Sequence, residues 1–183
     1  MKEAIDTLQG NGPKDLVELV LTLGSHMVVA AEKAASLEEA RKELERSIED
    51  GSAFKVFQKF IVAQGGSLDQ VLHPEKLPKA NYIEDVLSVQ EGYVAKIKTE
   101  EIGRISLLLG GGRETKESEI DLAVGLVLNK KRGDYIKVGE TIATIHANDT
   151  QKLQQAKERL LKAYSLSNEF VDKEEVIKEI ITE

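Results

Sequence analysis

Apolar residues recur at helical spacing through most of the first eighty residues. In residues 14–31 they are so frequent that the apolar stripe widens around the helix, which predicts burial on several sides. Ser36 followed by Glu39 is typical of a capped helix start, and Gly51 is expected to end that helix. Helices are therefore predicted over residues 2–8, 14–31, 37–50 and 52–64.

The pattern changes after a connector that contains Pro74 and Pro78. Residues 82–89 and 93–97 read as two strands of a hairpin, and the residues around Tyr135–Val138 and 141–146 read as further extended segments. Helices are expected over residues 99–109, from Thr115 to Val127, and over 153–164. The tail, residues 172–183, is expected to form a short helix or an edge strand.

These elements predict an α+β fold in two parts, residues 1–79 and residues 80–183. Residues 92–94 are expected to pair with the glycine-punctuated segment 133–145, as in a barrel-sandwich hybrid, the fold of biotin- and lipoyl-carrying domains. A carrier needs a lysine at a tight hairpin between the two halves. A long, largely helical insertion over residues 99–130 occupies that place, so a carrier-like binding module is the disfavoured alternative.

Composition excludes several classes of function. The formal charge of −7 argues against general nucleic-acid binding, which needs a basic surface. The absence of cysteine excludes disulfides, thiolate nucleophiles and cysteine-ligated zinc. No stretch is apolar enough to span a membrane, and the charged start Met1–Glu3 carries no secretory signal, so a cytoplasmic protein is expected.

Candidate chemical groups are sparse. The histidines lie in different predicted elements, without the spacing of a helical metal site: His26, His73 and His146. The run Gly110–Arg113 could cradle an anion, but it follows a helix, so a helix-to-helix connector is the preferred interpretation. The basic run Lys130–Arg132 is interpreted as a solvated turn.

Several segments, taken in order along the chain, resemble the pyrimidine-nucleoside and thymidine phosphorylases. No single motif decides the resemblance, but the ordered set is specific and runs over nearly the whole chain. The matching segments are residues 2–8, 15–25, 63–66, 92–94, 120–125 and 131–134.

The resemblance implies an enzyme that cleaves pyrimidine nucleosides with phosphate, giving a free base and a pentose 1-phosphate. It also implies a homodimer and an α/β domain to which residues 1–79 would belong. The family's phosphate-binding Lys-His-Ser-Thr-Gly-Gly run, and the Arg and Ser-x-x-x-Lys element that hold the base, do not occur in this chain. The family has them upstream of its counterpart of Met1. We therefore expect a C-terminal portion that is inactive alone, with no cofactor for the chemistry.

One site residue is carried over from the resemblance. Glu3 matches a glutamate that helps to bind a structural monovalent cation, expected to be potassium, in some family members. The other ligands there are backbone carbonyls from upstream residues, so we expect Glu3 alone to hold no ion in this chain. A third hypothesis, an enzyme with a different site around Arg113, remains open at this point.

Overall fold

The computed structural model describes residues 1–113 and 115–181. Within it the chain forms two compact units, which are described separately. One unit comprises residues 1–77 together with residues 175–181, and the other comprises residues 78–174. The division of the chain into domains over 1–79 and 80–183 stays a prediction.

The first unit is helical, as the sequence predicts. Its elements are α1 (Lys2–Leu8), α2 (Lys14–Ala30), α3 (Leu37–Glu49), α4 (Ser52–Ala63), α5 (Leu68–Leu72) and a 3-10 turn (Pro74–Lys76). The Ser36 hydroxyl accepts a hydrogen bond from the Glu39 amide at 3.2 Å, and the Glu39 carboxylate accepts one from the Ala35 amide at 2.8 Å. The first bond satisfies a backbone donor that the first turn of α3 leaves unpaired, and the second fixes the chain just before the helix.

Close backbone packing and an ion pair join α2 to α3. A Cβ on Gly24 would lie 2.8 Å from a Leu44 methyl carbon, so the absence of a side chain at Gly24 lets the helices approach. The Arg41 guanidinium holds both carboxylate oxygens of Glu18, at 3.0 and 2.8 Å. The contacts bury only one side of α2, so its expected burial on several sides is not observed.

The second unit contains two three-stranded antiparallel sheets. Sheet A has the order β1 (Tyr82–Leu87), β5 (Thr141–Ala147), β3 (Gly125–Leu128), and sheet B has the order β4 (Tyr135–Ile136), β2 (Gly92–Ile97), β6 (Tyr164–Ser167). Two helices, α6 (Thr99–Leu109) and α7 (Thr150–Ala163), complete the unit. The α+β class is thereby confirmed, and the barrel-sandwich comparison stays a prediction.

Three local expectations are wrong. β1 and β2 lie in different sheets, so they form no hairpin. The helix expected from Thr115 to Val127 does not form, and its last part is β3, paired with β5. Residues 172–181 form neither helix nor strand, and residues 182 and 183 of the expected tail element lie outside the described residues. In the first two cases strand pairing with distant residues outweighs the local pattern.

The core of the second unit lies between the sheets and the two helices. Ile105, Val94, Ile136, Ile145 and Leu160 are completely buried there. They come from both sheets and both helices, so removal of any one element would expose this core to water. The Asp149 carboxylate caps α7 by accepting hydrogen bonds from two first-turn amides at 2.8 Å.

Candidate functional site

The glycine-punctuated segments that the sequence singles out meet in sheet B. Gly92 pairs with Ile136 and Tyr93 pairs with Tyr135, so the expected pairing forms with the first part of the segment 133–145. Residues 141–145 belong to β5 in sheet A and do not pair with β2. The Val94 amide also donates to the Asp134 carbonyl at 2.9 Å. These motifs therefore build the sheet rather than present a reactive group.

The run Gly110–Arg113 ends a helix. The Gly111 amide donates to the Ser106 carbonyl at 2.9 Å, and the Gly110 amide donates to the Leu107 carbonyl at 3.0 Å. With Gly110 in the left-handed conformation (φ 105°), this is the Schellman arrangement of a helix C-terminus. Because both amides are occupied within the helix end, they are not available to cradle an anion. The expected helix-to-helix connector is wrong in one respect, since among the described residues the run connects α6 to irregular residues before β3 and not to a second helix.

The connection between β2 and β3 also bears on the carrier hypothesis. It consists of α6 and the irregular residues that follow, including the Asp121 side chain, which accepts from the Ala123 amide at 2.9 Å and the Asn148 side-chain amide at 2.7 Å. A carrier lysine sits on a tight hairpin, and no such hairpin joins these two strands within the described residues. The specific requirement for a carrier is therefore not met.

The basic run Lys130–Arg132 makes internal contacts and is not simply a solvated turn. The Lys130 ammonium forms an ion pair with Glu140 across the loop, and the Lys130 side chain is only 20% exposed. The Arg132 guanidinium donates to the carbonyls of Ala95, at 3.3 Å, and Asp172, at 2.9 Å. Sequence periodicity gave no sign of the Arg132 contacts, because Ala95 and Asp172 lie about forty residues away along the chain.

The histidines do not converge. His26 lies in α2, His73 lies 3.4 Å from Glu75 after α5, and His146 lies in β5. In the part of the chain that the structure describes, no group of three or more His, Cys, Asp or Glu side chains could hold a metal ion. The interpretation of each histidine as a packing or surface residue fits these positions.

Glu3 lies on the exposed side of α1. The helix is anchored on its other side by Ile5, which is fully buried, and by Thr7, whose hydroxyl donates to the Glu3 carbonyl at 2.7 Å. The Glu3 carboxylate stands near the helix N-terminus, where the helix dipole disfavours a cation. One carboxylate in this setting does not make a potassium site by itself, and the role of Glu3 stays a prediction.

Several carboxyl groups have a lowered pKa, and hydrogen bonds from other residues of this chain explain it. Hydrogen bonding from Arg41 lowers the pKa of the exposed Glu18 carboxyl, and hydrogen bonding from Arg159 lowers that of Glu101. The backbone amide of Ala123, followed by the Asn148 side chain, lowers the pKa of Asp121. Each of these groups is held in its ionised form by a structural contact, so none has the raised pKa of a general acid.

A small cavity lies between the sheets of the second unit. Its volume is about 50 Å³, and its lining includes Ser88, Gln90, Ile142 and Tyr164. A pocket for a ligand of nucleoside size measures about 300 Å³ or more. The cavity has room for a water molecule or two and not for a nucleoside.

Comparison with known proteins identifies what this chain resembles. Residues 93–167, from β2 through β6, match the model of the pyrimidine nucleoside phosphorylase C-terminal domain. A pyrimidine-nucleoside phosphorylase from Staphylococcus aureus (strain USA300) is 48% identical over 183 residues, which is 100% of this chain and 42% of that protein. The chain is thus similar, along its whole length, to a C-terminal portion of the pyrimidine-nucleoside phosphorylases.

Two further pyrimidine-nucleoside phosphorylases show a similar extent of matching. The protein from Geobacillus stearothermophilus is 55% identical over 151 residues, which is 82% of this chain and 35% of the relative. The protein from Staphylococcus haemolyticus is 55% identical over 148 residues, which is 81% of this chain and 34% of the relative. The chain thus spans about two fifths or less of the length of these phosphorylases, and it corresponds to a C-terminal portion.

This resemblance fits what the geometry offers. The segment matched by the phosphorylase C-terminal domain spans β2 to β6 and both helices of the second unit, whereas β1 precedes it. Its recognisable motifs serve strand pairing. None of the helices in the described ranges is both long enough and apolar enough to cross a membrane.

Proposed function

We propose that this chain serves as the C-terminal portion of a pyrimidine-nucleoside phosphorylase. In that reaction a phosphate oxygen forms a bond to the anomeric carbon of a pyrimidine nucleoside while the bond from that carbon to the base breaks. The products are a free pyrimidine base and a pentose 1-phosphate. The observation that supports the proposal most is the 48% identity to a pyrimidine-nucleoside phosphorylase along all 183 residues.

We further propose that the chain is inactive by itself. The Lys-His-Ser-Thr-Gly-Gly run that the family resemblance assigns to phosphate binding is absent from the sequence, and so is the Ser-x-x-x-Lys element for the base. Phosphorolysis depends on positioning phosphate against a developing positive charge on the sugar. A phosphate loop binds phosphate through free backbone amides. In the run Gly110–Arg113 two amides are already bonded within the helix end, so they are not free for this role.

The natural partner of the chain would be the remaining part of the phosphorylase. The relatives carry more than half of their length outside the matched region. On this chain α2 leaves Val20, Leu23 and Met27 exposed on one face, at 44%, 56% and 72%. Burial of such a face against the rest of the enzyme would remove a large apolar surface from water. In the same proposal the intact enzyme is a cytoplasmic homodimer.

A potassium ion belongs to this proposal only in the intact enzyme. Glu3 would supply one carboxylate ligand, and the remaining oxygens would come from outside this chain. For the chain alone we expect no potassium-specific stabilisation. The check is to compare melting temperatures in potassium and sodium chloride at equal ionic strength, with Glu3→Gln as the control. A potassium-specific rise in Tm that Glu3→Gln abolishes would contradict this expectation.

The decisive experiment is an activity assay by complementation. The purified chain is incubated with phosphate and either uridine or thymidine, and base release is followed by ultraviolet absorbance. The same assay is repeated after addition of the separately produced N-terminal portion of the Staphylococcus aureus relative. We expect no turnover from either part alone and phosphate-dependent turnover from the mixture.

Two outcomes would contradict these proposals, one for the inactivity of the chain and one for its role in the phosphorylase. Turnover by the chain alone that disappears without phosphate would show a working site within these 183 residues and would overturn the proposal of inactivity. A mixture in which the two parts co-elute but remain inactive would count against the role of this chain as a functional phosphorylase portion.

A further inference from the structure

The segment that follows β6 crosses the outer face of sheet B. We call residues 168–173 the strap. The Phe170 ring packs edge-on against Tyr93, with ring centroids 5.3 Å apart and an interplanar angle of 77°. Tyr93 in turn packs against Tyr135 on the neighbouring strand, at 5.0 Å and 70°. The strap therefore adds a third ring to an aromatic pair that the sheet itself provides.

Three consecutive residues hold the end of the strap, and we call Arg132, Gly133 and Asp134 the clasp. The Arg132 guanidinium links the Asp172 carbonyl, at 2.9 Å, to the carbonyl of Ala95 in β2. The Asp134 carboxylate forms an ion pair with the Lys173 ammonium, with 2.7 Å between Oδ1 and Nζ.

Gly133 lies flat against the strap backbone. A Cβ there would fall 2.7 Å from both the backbone nitrogen and the Cα of Lys173. A side chain at this position would therefore displace the strap, since these are main-chain atoms that cannot rotate away. The clasp thus recognises the strap through a carbonyl oxygen, a close backbone approach and one ammonium group.

The strap is held far less tightly than the strands beneath it. Phe170 is 70% exposed and the Lys173 side chain is 75% exposed, whereas Val94 and Ile136 below are fully buried. The strap also makes no strand pairing of its own. Segments with few buried apolar contacts open locally at a lower free-energy cost than the whole domain.

We propose that the whole strap opens and closes while the second unit stays folded, and that the contacts of the clasp hold it closed. Opening uncovers the Tyr93–Tyr135 ring pair and leaves both sheets and the core in place. The Lys173 side of the ion pair with Asp134 is exposed, so salt is expected to weaken this ion pair and favour the open strap. The inference rests on contacts within this chain and is independent of the proposed phosphorylase role.

The chain contains no tryptophan, which allows a specific reporter. Phe170→Trp places a single indole on the strap, and a tryptophan ring can keep the edge contact with Tyr93. Collisional quenching by acrylamide then measures how far the strap is open. When Arg132→Ala is added to Phe170→Trp, the quenching constant is expected to rise about twofold. Sodium chloride at 1 M is expected to raise the quenching constant of Phe170→Trp itself.

The control is Lys162→Ala, which removes an exposed cation from α7, away from the clasp. It is expected to leave quenching unchanged. Lys173→Ala is a second test variant, because it removes the ion pair with Asp134 without touching the core. Quenching that stays the same in Arg132→Ala, in Lys173→Ala and in high salt would overturn the proposal.

Hydrogen exchange distinguishes strap opening from unfolding. In Arg132→Ala the Glu169 amide, which donates to the Ser167 hydroxyl at 3.0 Å, is expected to exchange about tenfold faster, which corresponds to about 1.4 kcal/mol of lost local stability. The amides of β5 are expected to exchange at the parent rate. Equal acceleration in the strap and in β5 would mean that the whole unit is destabilised and would likewise overturn the proposal.

Discussion

Gly92 lies so close to Ser167 that a Cβ on Gly92 would stand 2.7 Å from the Ser167 carbonyl oxygen. The contact occurs where β2 pairs with β6, and Gly92 has φ 145°, a conformation that side chains disfavour. This approach explains why a glycine precedes the Tyr93–Val94 pair in the motif that the sequence singles out. It also brings the end of the family-matched segment back to its beginning.

Gly92→Ala is expected to lower the free energy of unfolding by about 3 kcal/mol, because conformational strain adds to a clash with main-chain atoms. Gly125→Ala is a matched control: Gly125 also begins a strand, at φ 150°, but has no atom within 4 Å of the added Cβ. Strain alone predicts about 1–2 kcal/mol there. Chemical denaturation of both variants makes the comparison, and equal losses would show that the Ser167 contact is unimportant.

The C-terminus of α2 has a residue suited to replacement. Glu32 has φ 56°, and its amide and that of Lys33 donate to the carbonyls of Val29 and Val28. Glycine favours this left-handed position, although it also gains freedom in the unfolded chain. We therefore expect Glu32→Gly to stabilise the first unit by about 0.5–1 kcal/mol.

Lys33→Gly is the control for that variant, because Lys33 follows the left-handed position and has no positive φ. It should lower the melting temperature slightly through greater freedom of the unfolded chain. Thermal unfolding followed by circular dichroism measures both changes. A lower Tm for Glu32→Gly than for the parent would contradict the interpretation of strain at Glu32.

The Tyr164 phenol is expected to lose its proton at a higher pH than an ordinary tyrosine. Burial, followed by the negative charge of Asp134, raises the pKa of the Tyr164 phenol from 10.0 to about 12. Its hydroxyl donates to the Lys130 carbonyl at 2.9 Å, a bond that requires the proton. Because the folded-state pKa is raised, the stabilising contribution is complete below pH 10 and is lost as the pH rises towards 12.

Absorbance at 295 nm during an alkaline titration checks this expectation. The step near pH 12 should disappear in Tyr164→Phe and persist in Tyr82→Phe, whose ring is 39% exposed. Tyr164→Phe should also lose about 1 kcal/mol with the hydrogen bond. A parent protein in which every tyrosine titrates in one step near pH 10 would contradict the assignment.

The exposed face of α2 predicts self-association of the isolated chain. Val20, Leu23 and Met27 are spaced so that they share one side of the helix. Light scattering over a wide concentration range is expected to show an apparent mass that increases with concentration. Leu23→Glu combined with Met27→Glu should suppress the increase.

The charge-matched control for that pair is Gln154→Glu with Gln155→Glu, which adds the same two charges on the exposed side of α7. It should associate as the parent does. A parent chain that remains a monodisperse monomer at every concentration would show that this face needs no partner.

Local sequence was a good guide where local interactions decide the structure. The helices of the first unit follow their apolar spacing and their caps, as at Ser36, and the end of α6 follows from Gly110. The family resemblance was likewise carried by short segments in order, and the matched phosphorylases confirm it. The site residue Glu3 is placed on an exposed helix surface, and its role remains a prediction.

Where structure depends on distant partners, the sequence was a poor guide. Residues 125–128 have apolar spacing compatible with a helix, yet they form β3 because β5 offers a complete set of strand partners. β1 and β2 are adjacent along the chain, yet β1 pairs with β5 and β2 pairs with β4 and β6, so that core residues come from both sheets.

The sequence by itself determined the α+β class, the helical first half and the resemblance to the C-terminal portion of the phosphorylases, because these depend on residue spacing and residue identity. Only the tertiary structure decided how the strands divide between the two sheets, and that Arg132 reaches across forty residues to the Asp172 carbonyl. The physical reason is that strand pairing and backbone-carbonyl recognition use groups that every residue possesses. Such contacts leave no mark on side-chain pattern and appear only when the chain is folded.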